Sequence, residues 1–228
     1  NLALHYDGPK FDFGFTYRAE LSPEIDGEVK FYDIHPALGP DGADLFPDGP
    51  GTATLDLPAQ AAIGFAVPAG EKWTVEFDVS WAGWSSFEEL HLDFENETSI
   101  IVQIPDRVAQ IEIPVVEDIT LREDWDDTFC FRLGTAWKMN ERHELRFGAL
   151  YDQAPVPVDT LRPSIPDSDR TAVTFGYGFS GGKWNFDAYY MPLWFDDITA
   201  NGLAAEGVLN GTYSSFVHLL GMTFNVRF

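Results

Sequence analysis

From Trp73 to Trp84 the chain alternates strictly. Trp73, Val75, Phe77, Val79 and Trp81 fall on one phase, and Thr74, Glu76, Asp78, Ser80 and Ala82 on the other. A period of two is the signature of an extended strand with one apolar and one polar face. The same separation recurs six times. Phe11, Phe13, Phe15 and Tyr17 oppose Asp12, Gly14, Thr16 and Arg18; Phe129, Phe131, Leu133 and Trp137 oppose Arg132, Gly134 and Lys138. Leu145, Phe147, Ala149 and Tyr151 oppose Glu144, Arg146 and Asp152; Val173, Phe175, Tyr177 and Phe179 oppose Thr174, Gly176 and Gly178. Trp184, Phe186, Ala188 and Tyr190 oppose Asn185 and Asp187, and Met222, Phe224, Val226 and Phe228 oppose Thr223, Asn225 and Arg227.

A soluble sandwich would have to pack these rings inside, yet the chain carries 19 Phe, 8 Tyr and 7 Trp in 228 residues. An outer-membrane barrel reverses the arrangement, with rings toward lipid and polar groups toward a lumen; an Arg or Lys on its lipid face costs about 2–4 kcal/mol at the midplane. None of the seven apolar phases contains a charge. The connections agree. Tight polar turns at 7–10, 68–72, 139–143 and 180–183 alternate with long excursions at 35–52, 96–116, 155–169 and 199–211. Short periplasmic turns and long external loops are what a bacterial barrel shows, and a last strand ending inward at Phe228 makes every tight turn periplasmic. The expected fold is therefore all-β, an antiparallel transmembrane barrel of the outer-membrane type.

Composition narrows the functions. With 22% charged residues and a mean hydropathy of −0.14, the chain has no apolar run of about 20 residues for a membrane helix. A net charge of −23 argues against nucleic acid, which needs a basic patch. The acids collect in loops, at Asp41, Asp44 and Asp48 and at Glu117, Asp118, Glu123, Asp124, Asp126 and Asp127, where a solvated rim is the expected role and divalent cations bridging carboxylates to each other or to lipid phosphates the alternative. Residues 41–48 lack the carboxylate spacing of an EF-hand calcium loop. The single Cys130 excludes an internal disulfide. No G-x-S-x-G elbow accompanies His91 or His218, and Gly176-x-Gly178-x-x-Gly181 ends a strand at a turn, unlike a dinucleotide fingerprint. Neither catalysis, a cofactor nor a metal is expected.

Residues 2–6 read as a strand running into the first periplasmic turn, which makes nine strands, whereas a closed antiparallel barrel needs an even number. Either 2–6 is peripheral or earlier strands are missing. The second is expected.

The stretch Trp125-Asp126-Asp127-Thr128 leading into Arg132-Leu133-Gly134, then Arg146-Phe147-Gly148, Asp152, Pro155-Val156-Pro157 and Ile165-Pro166-Asp167-Ser168-Asp169-Arg170, resembles the FadL/TodX family of outer-membrane transporters for long-chain fatty acids and other hydrophobic compounds. Thr16-Tyr17-Arg18, 81–87 and the closing 221–228 are similar to further strands of that family. The resemblance implies a 14-stranded barrel with an N-terminal plug, of which residues 1–228 would be the C-terminal nine strands of a single domain, the plug and first strands lying outside the chain. It implies passive uptake: an amphiphile binds an apolar groove among the external loops, enters the barrel, and leaves sideways through a wall gap. A non-specific porin or structural barrel is the alternative. Groove candidates are Leu38, Leu45 and Phe46, with 100–113 on the next loop. Lumen candidates for a carboxylate head group are Arg18, Arg132 and Arg146, each of which could instead pair with a neighbouring acid such as Asp12, Glu76, Asp78 or Glu144. Asp167, Asp169 and Arg170 are expected to hold the proline-bracketed loop. Segment 96–123 would be an added hairpin or an extension of its flanking strands. The expected setting is a monomer in the lipid bilayer beside surface lipopolysaccharide, with a fatty acid or hydrocarbon as ligand.

Overall fold

The computed structural model describes residues 1–32, 45–103, 110–164, 166–202 and 209–227; Leu38, Ile104, Ile165 and Phe228 lie outside them. The strands are β1 (Leu2–Asp7), β2 (Asp12–Arg18), β3 (Glu24–Val29), β4 (Gly49–Thr54), β5 (Gln60–Ala69), β6 (Trp73–Ala82), β7 (Glu89–Phe94), β8 (Thr98–Gln103) and β9 (Gln110–Val116). They continue as β10 (Ile119–Arg122), β11 (Thr128–Lys138), β12 (His143–Asp152), β13 (Arg170–Gly181), β14 (Trp184–Phe195), β15 (Ile198–Ala200), β16 (Gly211–Tyr213) and β17 (Phe216–Val226).

Nine of them form one antiparallel sheet in the order β1-β2-β5-β6-β11-β12-β13-β14-β17. β1 pairs along its whole length with β2, from Leu2 opposite Tyr17 to Asp7 opposite Asp12, and so is a full member of the wall. The tight turns close as their chemistry requires: Gly70 and Gly182 take φ of 75° and 66°, which a Cβ would disfavour.

Register turns the alternation into rows. Phe13, Phe65, Phe77, Leu133, Ala149 and Val173 lie side by side on one face. That face is open: Phe65 is 42%, Phe77 45% and Leu133 55% exposed. Side chains of this size leave water unless another medium covers them. At the tight-turn end, Trp73 stacks on Trp137 at 5.4 Å, and Trp184 lies 4.6 Å from Phe179 and 5.7 Å from Phe224. At the other end Trp194 meets Phe216 at 5.5 Å. These are the aromatic girdles of an outer-membrane wall, with an apolar band between them. The barrel is not closed by these strands, since β1 and β17 are the two edges of the sheet.

The chain divides into two compact units, one of residues 1–20, 58–86 and 124–228 and the other of 21–57 and 87–123. The first holds the nine-stranded sheet and the β15–β16 pair; the second holds the sheet β10-β7-β4-β3 and the hairpin β8–β9. Segment 96–123 is thus largely an added hairpin with β10 behind it. Its register shifts at Thr98/Ser99, where Pro114 faces Ser99, as a residue without an N–H requires.

Candidate functional site

On the polar face of the wall, cross-strand pairing sets Cys130 beside Ser80 and Asp152, Asp152 beside Arg170, and Arg132 beside Asp78. With Arg18 from β2 and Pro155 from the loop after β12, Ser80, Cys130, Arg132, Asp152 and Arg170 line a cavity of about 620 Å³. The wall therefore gathers Arg18, Arg132, Asp152, Pro155 and Arg170, three cations around one carboxylate, in a chain of net charge −23.

The three guanidinium groups are not equivalent. Arg170 is held on both sides, by Asp152 at 2.8 Å and Asp167 at 3.1 Å. Burial pushes the Asp167 carboxyl above its usual range, against the pull of Arg170. Arg132 donates from Nη1 to Ser80 Oγ at 3.0 Å. Among the described residues neither Arg132 nor Arg18 has an ion-pair partner. Both line the cavity without an ion pair, and a planar guanidinium binds a carboxylate through two parallel hydrogen bonds.

Arg146 stands apart from that cavity. It takes the acid-paired alternative, with Glu144 at 2.6 Å and Asp187 at 2.8 Å. Glycines make room for it, since a Cβ at Gly178 would meet its Nη2 at 3.0 Å. It borders a smaller hollow of about 310 Å³ with Tyr189 and Met191. Tyr189 pairs with Gly221, Met191 with Leu219 and Leu193 with Val217, so an apolar strip runs up the inner face of β14 and β17. The sequence reading missed this strip. Its signal is weak, because residues 189–195 and 216–222 are apolar on both phases.

The loop after β12 is packed. Pro155 and Val156 are buried, Leu161 and Thr160 are 0% and 1% exposed, and Val156, Leu161 and Ala200 form a small core against Trp125, Ile198 and Tyr213. The Pro155 carbonyl accepts from Asp126 N at 2.8 Å and that of Pro157 from Thr160 N at 3.3 Å, while Pro166 is exposed. Asp169 accepts from Ala154 N at 2.9 Å and from the Tyr151 hydroxyl. Asp127, expected to be a solvated acid, is instead engaged: Ser85 N and Trp81 Nε1 donate to it at 3.0 and 3.1 Å. The Ser85 hydroxyl and backbone N–H hold its pKa below the usual range. His218 lies on the outer face, its Nδ1 2.8 Å from the Tyr190 hydroxyl.

The described groove candidates belong to the second unit. The half-buried Leu45 offers its carbonyl to Thr98 Oγ1 at 2.6 Å, and Phe46 meets Phe31 at 5.6 Å. In the hairpin, Ile100 opposes Ile113, and Ile101, 65% exposed, opposes Glu112.

An antiparallel wall with rings outside, cations within and loops at one end defines an outer-membrane barrel protein. Residues 6–228 match the family described as outer membrane protein transport protein (OMPP1/FadL/TodX), and the chain belongs to that family, which places it in the bacterial outer membrane. It is 25% identical over 187 residues to the long-chain fatty acid transport protein of Escherichia coli O6:H1, covering 79% of this chain and 38% of that protein. Against the protein of the same name from strain K12, identity is 22% over 190 residues, 80% of this chain and 38% of the relative. The fold is that of a Pseudomonas aeruginosa FadL homologue, with a TM-score of 0.74 at 19% identity over 97% of this chain and 50% of that one. The Ralstonia pickettii toluene transporter TbuX aligns with a TM-score of 0.53 at 16% identity, over 98% and 46%. The chain thus spans about two fifths of the length of these curated relatives.

Proposed function

We propose that this chain forms nine strands and outer loops of a 14-stranded, plugged, monomeric barrel that takes up hydrophobic compounds, and that its preferred cargo is a long-chain fatty acid. The larger barrel is supported by the two unpaired edge strands and by the length of the relatives. Transport of hydrophobic compounds is supported by family membership and by the printed functions of the relatives, fatty acid in one case and toluene in another. The choice of cargo rests on the un-ion-paired Arg18 and Arg132 in the lumen cavity. An aromatic hydrocarbon offers no anion to them, whereas a carboxylate head group does. On this reading the amphiphile is captured by Leu38, Leu45, Phe46 and the 100–113 hairpin. Its head group then passes to Arg18 and Arg132, while Arg146 stays paired with its acids and the Asp152–Asp169 loop is fixed by Arg170. Lipid and lipopolysaccharide surround the wall.

The test is uptake by cells expressing the full-length gene, with labelled oleate, toluene and a glucose-sized sugar compared. Oleate uptake well above the sugar is expected, and Arg18→Met with Arg132→Met should lower it several-fold while toluene entry changes little. Sugar entry at the oleate rate would establish a porin instead. An equal fall for toluene would remove the head-group role.

A further inference from the structure

We infer that His91, Asp93 and Asp118 form a binding site for one divalent transition-metal ion of the zinc class in the second unit. One ligand atom from each of the three lies within 4.8 Å of the other two. Zinc takes nitrogen and oxygen ligands at about 2.0–2.2 Å, which sets tetrahedral neighbours about 3.4 Å apart, so small side-chain rotations bring these atoms to bonding positions.

The backbone makes the juxtaposition. His91 and Asp93 are two residues apart on β7 and share a face; β10 runs antiparallel beside it, with Ile119 opposite Leu92 and Thr120 opposite His91. Asp118, one step before β10, consequently meets Asp93. β7 is pinned from its other side by β4, whose Thr52 and Thr54 face Asp93 and His91. Three strands thus fix the donor positions before any ion arrives.

Two of the three donors, His91 and Asp118, already have a supporting bond. His91 Nδ1 lies 2.9 Å from Thr120 Oγ1, and the tautomer that donates Nδ1–H to this hydroxyl leaves Nε2 with the lone pair a metal takes. Asp118 Oδ1 accepts from Phe94 N at 2.9 Å, which fixes the carboxylate and leaves its second oxygen open. Neither Asp93 nor Asp118 has an ion-pair partner among the described residues. Two like charges held together favour a cation between them.

The donor set selects the ion. Calcium wants six to eight oxygens and magnesium an octahedral shell kept largely as water, whereas one imidazole and two carboxylates suit zinc, with a fourth position for water. Local spacing in the sequence does not announce the site, because the third ligand arrives from a different strand.

Purified protein in a neutral detergent free of lipopolysaccharide is titrated with Co²⁺ followed by its visible absorption, and with Zn²⁺ by calorimetry. One equivalent should bind and persist in excess Mg²⁺. His91→Ala, Asp93→Asn and Asp118→Asn should each weaken binding at least tenfold, while Asp26→Asn on β3 should not. Limited proteolysis within segments 21–57 and 87–123 checks that all variants keep the second unit folded. Binding that is indifferent to His91→Ala, or weakened as much by Asp26→Asn, would reduce the cluster to diffuse surface charge and overturn the inference.

Discussion

The wall and the loop after β12 are stabilised in opposite ways. On the wall, large side chains such as Phe77 and Leu133 stand open, and the polar groups turn inward. In the loop, Leu161 and Thr160 are fully enclosed and Val156 nearly so, packed with Ala200 of β15, while Asp167 is paired with Arg170. The wall needs hydrocarbon as its solvent, whereas the loop carries a small conventional core that works in water. One chain therefore reads correctly only if its two phases are assigned to two different media.

The strongest way to break this contrast is to put a charge on each face of one strand. Phe77→Arg places a guanidinium in lipid at a cost of about 2–4 kcal/mol and should abolish heat-modifiable assembly, while Asp78→Arg should assemble. Equal tolerance of both would reverse the facing. Next comes Leu161→Ala, a deletion from an enclosed site that costs about 2–5 kcal/mol where the surroundings cannot collapse. Its effect should stay local: the barrel remains heat-modifiable, but limited proteolysis opens the 153–169 segment. Loss of the whole barrel would show that the loop core is not independent.

The smallest effect tests the rim between the two regions. Asp127 has a folded pKa below its ordinary value because Ser85 and Trp81 donate to the carboxylate. Its contribution is accordingly complete above the unfolded pKa and is lost as pH falls through the lowered folded value. Tryptophan fluorescence in vesicles should show a modest acid transition, weakened by salt because the group is at the surface, and Asp127→Asn should remove it. An unchanged transition would assign it to another carboxylate.

The wall was legible because period two, repeated strand after strand, is a strong signal and tight turns fix register. Much of the second unit was not: β3 reads Glu-Ile-Asp-Gly-Glu-Val and β4 Gly-Pro-Gly-Thr-Ala-Thr, too small and polar to show a buried face. In the candidate site, Arg18 and Arg132 could be named because they fall on the polar phases of β2 and β11, which they share with Asp12 and Lys138. Arg170 looked like a loop clamp alone, because only the pairing of β12 with β13 brings it to the cavity opposite Asp152. The inner strip of Tyr189, Met191 and Leu219 was hidden by apolar neighbours on the other phase.

Among the described residues the strands of the second unit pair only with one another, and the sheet of the first continues from β2 to β5 to β6 to β11 without them. Lengthening, shortening or exchanging the segments 21–57 and 87–123 consequently leaves the strand-to-strand pairing of the membrane wall unchanged. Variation in those segments and the architecture of the wall are separately heritable in such a chain, so that one can diversify while the other stays fixed.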